Sequence, residues 1–240
     1  NPNALFVSGR MDKDYLKIAK YFKGSIPTIT VQDTLFENSL RQKLISVFSK
    51  LLYRQYFDFF WGVGSLQTAF ALKMGFKKNQ IFEFFYIHNS TLFNNQVTIN
   101  KVANKLKIIC IGRLAKEKNF LTLARIGEGP ERVNLSKYKF VNLLGYMEPD
   151  KILENINGYD LFCLPSLYEP WGLVVNEMTS IGFPILASNN CGSAFNLVIE
   201  NYNGLKFDPN NIDELKKKLL NFLEFDESNF KSMSKNSIQL

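Results

Sequence analysis

Apolar and polar positions alternate along this 240-residue chain in two ways. Short apolar runs rich in β-branched and aromatic residues are separated by stretches in which apolar residues recur at helical spacing. This alternation predicts parallel βαβ units, and therefore an α/β fold rather than an antiparallel sandwich. In the first part it predicts strands at 4–8, 27–31, 57–63 and 81–86 and helices at 12–22, 38–54 and 66–74. We interpret this part as one doubly wound half.

A polar stretch from His88 to Lys105 interrupts the alternation and is typical of a connection between domains. Beyond it the pattern predicts a second half, with strands at 106–111, 140–144, 160–164, 184–187 and 205–207 and helices at 149–155, 172–181 and 212–223. We therefore predict two Rossmann-like domains, residues 1–100 and residues 101–240, with a ligand cleft between them. The chain begins at Asn1 rather than Met, and an apolar run follows almost at once, so we expect a fragment of a longer chain.

The composition, 46% hydrophobic, is that of a globular chain with a sizeable core. Cys110, Cys163 and Cys191 are widely spaced and lie in or beside apolar runs, which favours neither a disulfide framework nor a metal site. No run approaches the roughly 18 apolar residues of a membrane-spanning helix. We expect a soluble chain in the cytoplasm, with peripheral contact at the inner face of the membrane left open.

The net charge of +7 is concentrated in residues 1–100, which hold 12 basic and 6 acidic residues. Such a bias favours an anionic partner, for example phospholipid headgroups or a phosphorylated lipid. No recognised RNA- or DNA-binding motif is present, so nucleic acid is not an expected partner. The basic and aromatic segment FSKLLYRQYFDFFWG could touch a membrane, but apolar residues at helical spacing running into a strand favour a core position.

The segment ICIGRLAKEKN places charged residues directly after a predicted strand. Gly112 allows the backbone to approach an anion, Arg113 offers a planar fork of donors and Lys118 a compact positive charge. These groups suit a diphosphate whose negative charge rises as it leaves. A solvated basic loop after a strand would look the same, and this alternative stays open here.

The segment LPSLYEPWGLVVNEMTSIGFP leads from a strand through a turn-rich stretch into a predicted helix. The amides of Gly172 and Leu173 at the start of that helix could bind phosphate oxygens. Glu177 lies one turn beyond Leu173, and Glu169 lies on the preceding loop. A carboxylate accepts hydrogen bonds from neighbouring hydroxyls, which suits Glu177 to a ribose and Glu169 to a transferred sugar. The alternative is a loop charge and a surface helix residue.

Residues 106–223 resemble the retaining family 4 glycosyltransferases of the GT-B fold. The resemblance is carried by five motifs in the right order, namely GRLAKEKN, GEGPE, LLGYMEPDKILENINGYDLFCLPS, EPWGLVVNE and IGFPILASNNCGSAFNLVIENYNGLKF. It implies an acceptor-side domain at 1–100 and a nucleotide-sugar donor domain at 101–240. It further implies sugar transfer to a glycan or lipid-linked acceptor, as in polysaccharide or lipopolysaccharide biosynthesis.

The resemblance also implies roles for individual residues. Arg113 and Lys118 match the positions that hold the donor diphosphate, and Glu177 matches the one that holds the ribose. Glu169 matches the catalytic-side position that contacts the donor sugar near the reacting centre, and Tyr146 lies where the backbone meets the base. No metal and no cofactor are expected, because basic side chains and the helix terminus supply the positive charge.

The chain departs from this family pattern in three places. Only the seven residues Phe120–Ile126 lie where the family has a helix and a strand, and a parallel crossover needs about a dozen; we predict one short element there. Asn196 stands where the family has an acidic residue. The N-terminal half lacks the family's opening strands, so we expect an incomplete N-terminal domain and expect the family's histidine region to belong to the missing part. We assign the sole histidine, His88, a structural role. A catalytically inactive GT-B relative that acts as a binding or scaffold subunit therefore remains the alternative function.

Overall fold

The computed structural model describes residues 2–9, 12–36, 39–87, 93, 96–98, 102, 105–126, 141–142 and 144–240. The chain divides into two compact units, residues 1–86 and residues 87–240. Each unit contains a parallel sheet with helices between its strands, which confirms the predicted α/β class. The sequence had suggested a border at residues 100 and 101, whereas the connecting stretch groups with the second unit.

The first unit is built on four parallel strands in the order β1 (Leu5–Ser8), β2 (Thr28–Gln32), β3 (Phe59–Gly62) and β4 (Ile81–Glu83). The helices α1 (Lys13–Phe22), α2 (Leu40–Val47) and α3 (Ser65–Lys73) connect them in turn. A π-helical segment, Lys50–Arg54, follows α2, and a 3-10 turn, Lys78–Gln80, precedes β4. The single helix predicted at 38–54 is thus divided in two.

Local chemistry explains where the elements of the first unit begin and how they pack. Helix α1 begins after Asp12, whose carboxylate accepts hydrogen bonds from the amides of Asp14 and Tyr15 and so caps the helix. Phe57 and Phe60 are almost completely buried and pack with residues of α3 in one apolar core. Burial of large apolar side chains such as these is the main term that stabilises the unit.

The second unit is built on the parallel strands β5 (Ile108–Ile109), β6 (Leu161–Leu164), β7 (Ile185–Ser188) and β8 (Gly204–Phe207), in that order. Alternate residues of β6 and β7 belong to two different apolar clusters, so helices cover both faces of this sheet. Strand β6, with the sequence LFCL, is therefore apolar throughout. The helices of this unit are α4 (Phe120–Ile126), α5 (Pro149–Asn155), α6 (Leu173–Ser180), α7 (Gly192–Leu197), α8 (Ile212–Glu224) and α9 (Glu227–Ile238).

Several sequence-based expectations need correction or lie outside the described residues. In each sheet the described strands lie side by side in the order of the sequence. A doubly wound sheet requires a reversal of this order, so the four strands of the first unit do not form a doubly wound sheet. The strand predicted at 140–144 is not seen in its described residues 141, 142 and 144. His88 and the GEGPE motif at 127–131 lie outside the described residues.

The segment Phe120–Ile126 forms one short helix, α4, which confirms the prediction of a single element there. Helices α7 and α9 had not been predicted. A 3-10 turn, Lys116–Lys118, precedes α4. None of the helices in the described part of the chain is both long and apolar enough to cross a membrane.

Candidate functional site

Three loops meet at the carboxyl edge of the second sheet, because the carboxyl ends of parallel strands lie on one side. They follow β5, β6 and β7. The amide of Leu167 donates to the carbonyl oxygen of Glu117 at 2.8 Å and joins the first two loops. The amide of Glu169 donates to the carbonyl of Asn190 at 2.9 Å, and the amide of Gly192 donates to the carbonyl of Glu169 at 3.1 Å. Backbone hydrogen bonds therefore fix the three loops relative to one another.

Lys118 and Glu169, both predicted from the sequence as site residues, form an ion pair between Nζ and Oε2. Their side chains are 16% and 14% exposed, respectively, so water screens the two charges less than on an open surface. Gly112 lies beside the stem of Lys118, since a Cβ atom at residue 112 would come within 3.8 Å of Cδ. The structure thus brings these three predicted residues together over 57 positions of sequence.

Gly172 lies directly before α6 in a left-handed conformation, with a φ of 87°. A Cβ atom built there would be 2.8 Å from Sγ of Cys191, 2.9 Å from Cγ of Glu169 and 3.2 Å from Oγ of Ser193. Real Cβ atoms essentially never come as close as the first two of these distances, and left-handed backbone also disfavours residues other than glycine. The sequence therefore needs glycine at this position for two independent reasons.

Buried side chains of the loop after β7 hold the start of α6, and sequence reasoning had missed them. The hydroxyl of Ser193 lies 2.6 Å from the carbonyl oxygen of Trp171 and 2.9 Å from that of Gly172, and it can donate to either. The indole of Trp171 donates to Oδ1 of Asn176 at 3.0 Å. Burial raises the pKa of Cys191 to about 11, so its thiol stays neutral and acts as a packing group. These contacts link loops distant in sequence, and no local pattern indicates them.

The first amides of α6 and the carboxylate of Glu177 are the groups of this helix that a ligand could engage. The amides of Leu173 and the residue after it lack partners within the helix by geometry, and they carry its positive dipole end. Glu177 is half-buried and makes no side-chain hydrogen bond or ion pair with any residue that the structure describes. Burial raises the pKa of this carboxyl above its ordinary value. A half-buried carboxylate without donors favours a ligand that brings hydroxyl groups.

Two predicted site residues are not joined to the Lys118–Glu169 pair by any described hydrogen bond or ion pair. The side chain of Arg113 is largely exposed and pairs with Glu117 at 3.3 Å. Tyr146 is 87% exposed, and its hydroxyl donates to Oε1 of Glu148 at 2.8 Å. The hydrogen bond to Glu148, with the charge of that carboxylate, raises the pKa of Tyr146.

No group of three or more His, Cys, Asp or Glu side chains suited to a metal ion occurs within the described ranges. The positive groups at the site itself are Lys118 and the start of α6. The arrangement can therefore hold an anion at the carboxyl edge of the sheet.

A family model for glycosyl transferases group 1 matches residues 126–239. A glycosyltransferase of Methanocaldococcus jannaschii is 28% identical over 130 residues, which are 54% of this chain and 33% of that protein. The sulfoquinovosyl transferase SQD2 of Arabidopsis thaliana is 28% identical over 143 residues, 52% of this chain and 28% of that protein. The chain thus spans about a third or less of these curated relatives.

Among solved structures, Anabaena HepE in complex with UDP superimposes with a TM-score of 0.72 at 16% identity, over 99% of this chain and 73% of that one. At this level of identity the likeness establishes the fold alone. The chain therefore carries, at residues 126–239, a domain of the glycosyl transferases group 1 family on the fold of the GT-B glycosyltransferases.

Proposed function

We propose that this chain is a retaining glycosyltransferase that moves a sugar from a nucleotide-diphosphate donor to a hydroxyl of a glycan or lipid-linked acceptor. The second unit binds the donor, and the basic first unit serves the acceptor. The observation that carries the proposal is the ion pair between Lys118 and Glu169, held against the start of α6. It supplies an anion-binding cation and a carboxylate at one point.

The leaving diphosphate gains negative charge as the bond to the sugar breaks. Lys118 and the first amides of α6 lower the energy of that charge without a metal ion, because they are already oriented before the reaction. In the structure the carboxylate of Glu169 forms an ion pair with the ammonium group of Lys118. Donor binding must exchange this partner for a phosphate oxygen, and the released carboxylate then faces the sugar hydroxyls.

Glu177 completes the donor site by accepting hydrogen bonds from the two hydroxyls of the ribose. It needs such donors because its half-buried carboxylate has none in the described chain. Arg113 must leave Glu117 and turn towards the diphosphate, which its exposed position permits. Tyr146 lies on the segment that meets the base in the proposed complex.

The relatives support the class of donor. Anabaena HepE has been solved in complex with UDP-glucose, and SQD2 is named for sulfoquinovosyl transfer. The three cysteines are free, and Cys163 and Cys191 are buried, which supports a reducing compartment such as the cytoplasm. Polysaccharide or lipopolysaccharide synthesis is the process that we propose for the product.

Calorimetry and thermal unfolding with UDP, GDP, ADP and their glucose esters test donor binding. Glu177→Ala should weaken binding by about 1.5–3 kcal/mol, or ten- to more than a hundredfold, because a hydrogen-bonded charge is lost. Lys118→Met should weaken the binding of nucleoside diphosphates more than the binding of nucleosides. The control is Lys151→Met, which removes an exposed lysine of α5 that is paired with Glu154.

Three outcomes separate the proposed enzyme from its alternative. Hydrolysis or transfer of the bound sugar, with the anomeric configuration of the donor kept in the product by NMR, supports the enzyme. Binding with a raised melting temperature but no turnover of any sugar supports the inactive binding subunit. Equal affinity of wild type and both site variants for every nucleotide contradicts the site itself.

A further inference from the structure

Helix α2 and the π-helical segment after it turn a row of large apolar side chains to solvent. Leu40 and Val47 are 79% and 75% exposed, and Leu44, Phe48 and Leu51 are each more than half exposed. At 100° per residue Leu40, Leu44, Val47 and Phe48 fall within an arc of about 100° on one side of α2. Leu51 lies in the π-helical segment that follows. We call these five residues the α2 stripe.

The opposite side of the same helix is buried and includes polar side chains. The amide of the Gln42 side chain donates to the carbonyl oxygen of Leu35 at 2.7 Å, and the hydroxyl of Ser49 donates to the carbonyl of Met74. A helix on the surface of a globular protein normally buries its apolar face and exposes its polar one. Here the apolar residues lie on both sides: Ile45 packs against the core of the first unit, whereas the α2 stripe faces solvent. Hydrogen bonds fix the buried polar residues Gln42 and Ser49.

Positive charge flanks the α2 stripe. Residues 39–56 contain Arg41, Lys43, Lys50 and Arg54 and no acidic residue. On the helical projection Arg41 lies on one flank of the stripe, and Lys43 lies on the other. Lys43 and Lys50 are exposed, and neither takes part in a described ion pair.

We propose that the α2 stripe docks on the surface of a bilayer that contains anionic lipids. The apolar residues enter the boundary between headgroups and acyl chains, and the flanking basic residues contact phosphate groups. Charge complementarity selects this partner, because residues 39–56 carry four basic side chains and no acidic one, and anionic headgroups attract such a segment. This inference rests on the proposed function, in which the acceptor can be linked to a lipid.

Vesicle flotation of the full chain tests the proposal without any donor, so it can fail independently of the proposed function. We expect recovery with vesicles of phosphatidylcholine and phosphatidylglycerol, little with phosphatidylcholine alone, and release from the anionic vesicles at high salt. The double variant Lys43→Gln/Lys50→Gln should bind about 30-fold more weakly, about fivefold per lysine. Leu44→Ser/Val47→Ser should also lose binding.

A matched control replaces exposed residues of α8 in the second unit, as Lys216→Gln/Lys217→Gln and separately as Leu220→Ser. These variants should bind vesicles as the wild type does. Failure of the wild type to float, salt-insensitive binding, or equal binding by all variants would overturn the proposal. A wild-type dimer that Leu44→Ser/Val47→Ser converts to monomer would also overturn it, because a second copy would then cover the stripe.

Discussion

Replacing Gly172 by alanine tests the packing that positions the start of α6. The new methyl group would lie 2.8 Å from Sγ of Cys191, 2.9 Å from Cγ of Glu169 and 3.2 Å from Oγ of Ser193. None of the three can move away cheaply. Cys191 and Ser193 are completely buried, and Glu169 is held by Lys118.

The expected loss of stability has two parts that a control variant can separate. Left-handed backbone costs alanine about 1–2 kcal/mol relative to glycine. Forced contact in a packed site adds about 1–3 kcal/mol. Gly158→Ala shares the first part, because its φ is 90°, but not the second, because no atom lies within 4 Å of its new methyl group. We expect a loss of about 2–5 kcal/mol for Gly172→Ala and about 1–2 kcal/mol for Gly158→Ala.

Urea unfolding followed by circular dichroism measures both free energies, and nucleotide titration measures the consequence for the site. Gly172→Ala should also displace Glu169 and the first amides of α6, so donor affinity should fall in this variant only. Equal losses of stability in the two variants would refute the argument from close contact. Unchanged donor affinity in Gly172→Ala would separate the start of α6 from the binding site.

Three further predictions concern charged groups. Lys118→Met should destabilise the second unit by about 1–3 kcal/mol. Adding Glu169→Gln should restore part of this loss, because it removes the carboxylate charge that Lys118→Met leaves unpaired. Strictly additive effects of the two substitutions in urea unfolding would argue against a coupled pair. Burial raises the pKa of Glu177 above 4.5, so its ionisation opposes folding at higher pH. Glu177→Gln should therefore raise the free energy of unfolding at pH 7 and change it little below pH 4.5, and a pH series that shows no such difference contradicts the burial argument. Burial tends to raise the pKa of Asp58, but hydrogen bonds from Lys23 and Thr28 lower it below 3.8. The ionised carboxylate therefore stabilises the fold above that pH, and this stabilisation is lost as the pH falls. Asp58→Asn should cost stability at pH 7 but progressively less under acid conditions, and a constant cost in acid unfolding would show that charge is not the cause.

The sequence predicted the elements that periodicity and strand length determine. All four strands of the first unit, and the helices α1 and α3, were predicted within a few residues, because apolar runs and helical spacing are local signals. The helix predicted at 38–54 is instead divided into α2 and a π-helical segment. The order of strands in the sheets was not predictable in this way, since it depends on contacts between distant segments. Helix α7 was missed because its six residues carry too little periodicity.

In the candidate site, too, some features could be predicted from the sequence and others could not. Lys118 and Glu169 were predicted from separate motifs, and the structure joins them over 51 positions. The close packing of Gly172 against Cys191 and Ser193 was invisible in the sequence, because no spacing rule connects a residue before one helix with the loop before another. The side chain of Arg113 pairs with Glu117, and its role at the diphosphate stays a prediction.

The two carboxylates of the candidate site are in opposite electrostatic situations, and this difference suggests how a donor would be recognised. Glu169 already has a cationic partner, so a phosphate that binds Lys118 gains the energy of the new contact minus that of the old one. Glu177 has no described partner, so hydroxyls that reach it add a contact without breaking one. In the proposed complex the selectivity for a sugar nucleotide over inorganic phosphate therefore comes mainly from its hydroxyl groups. They engage Glu177 directly and give the carboxylate that leaves Lys118 a new set of donors.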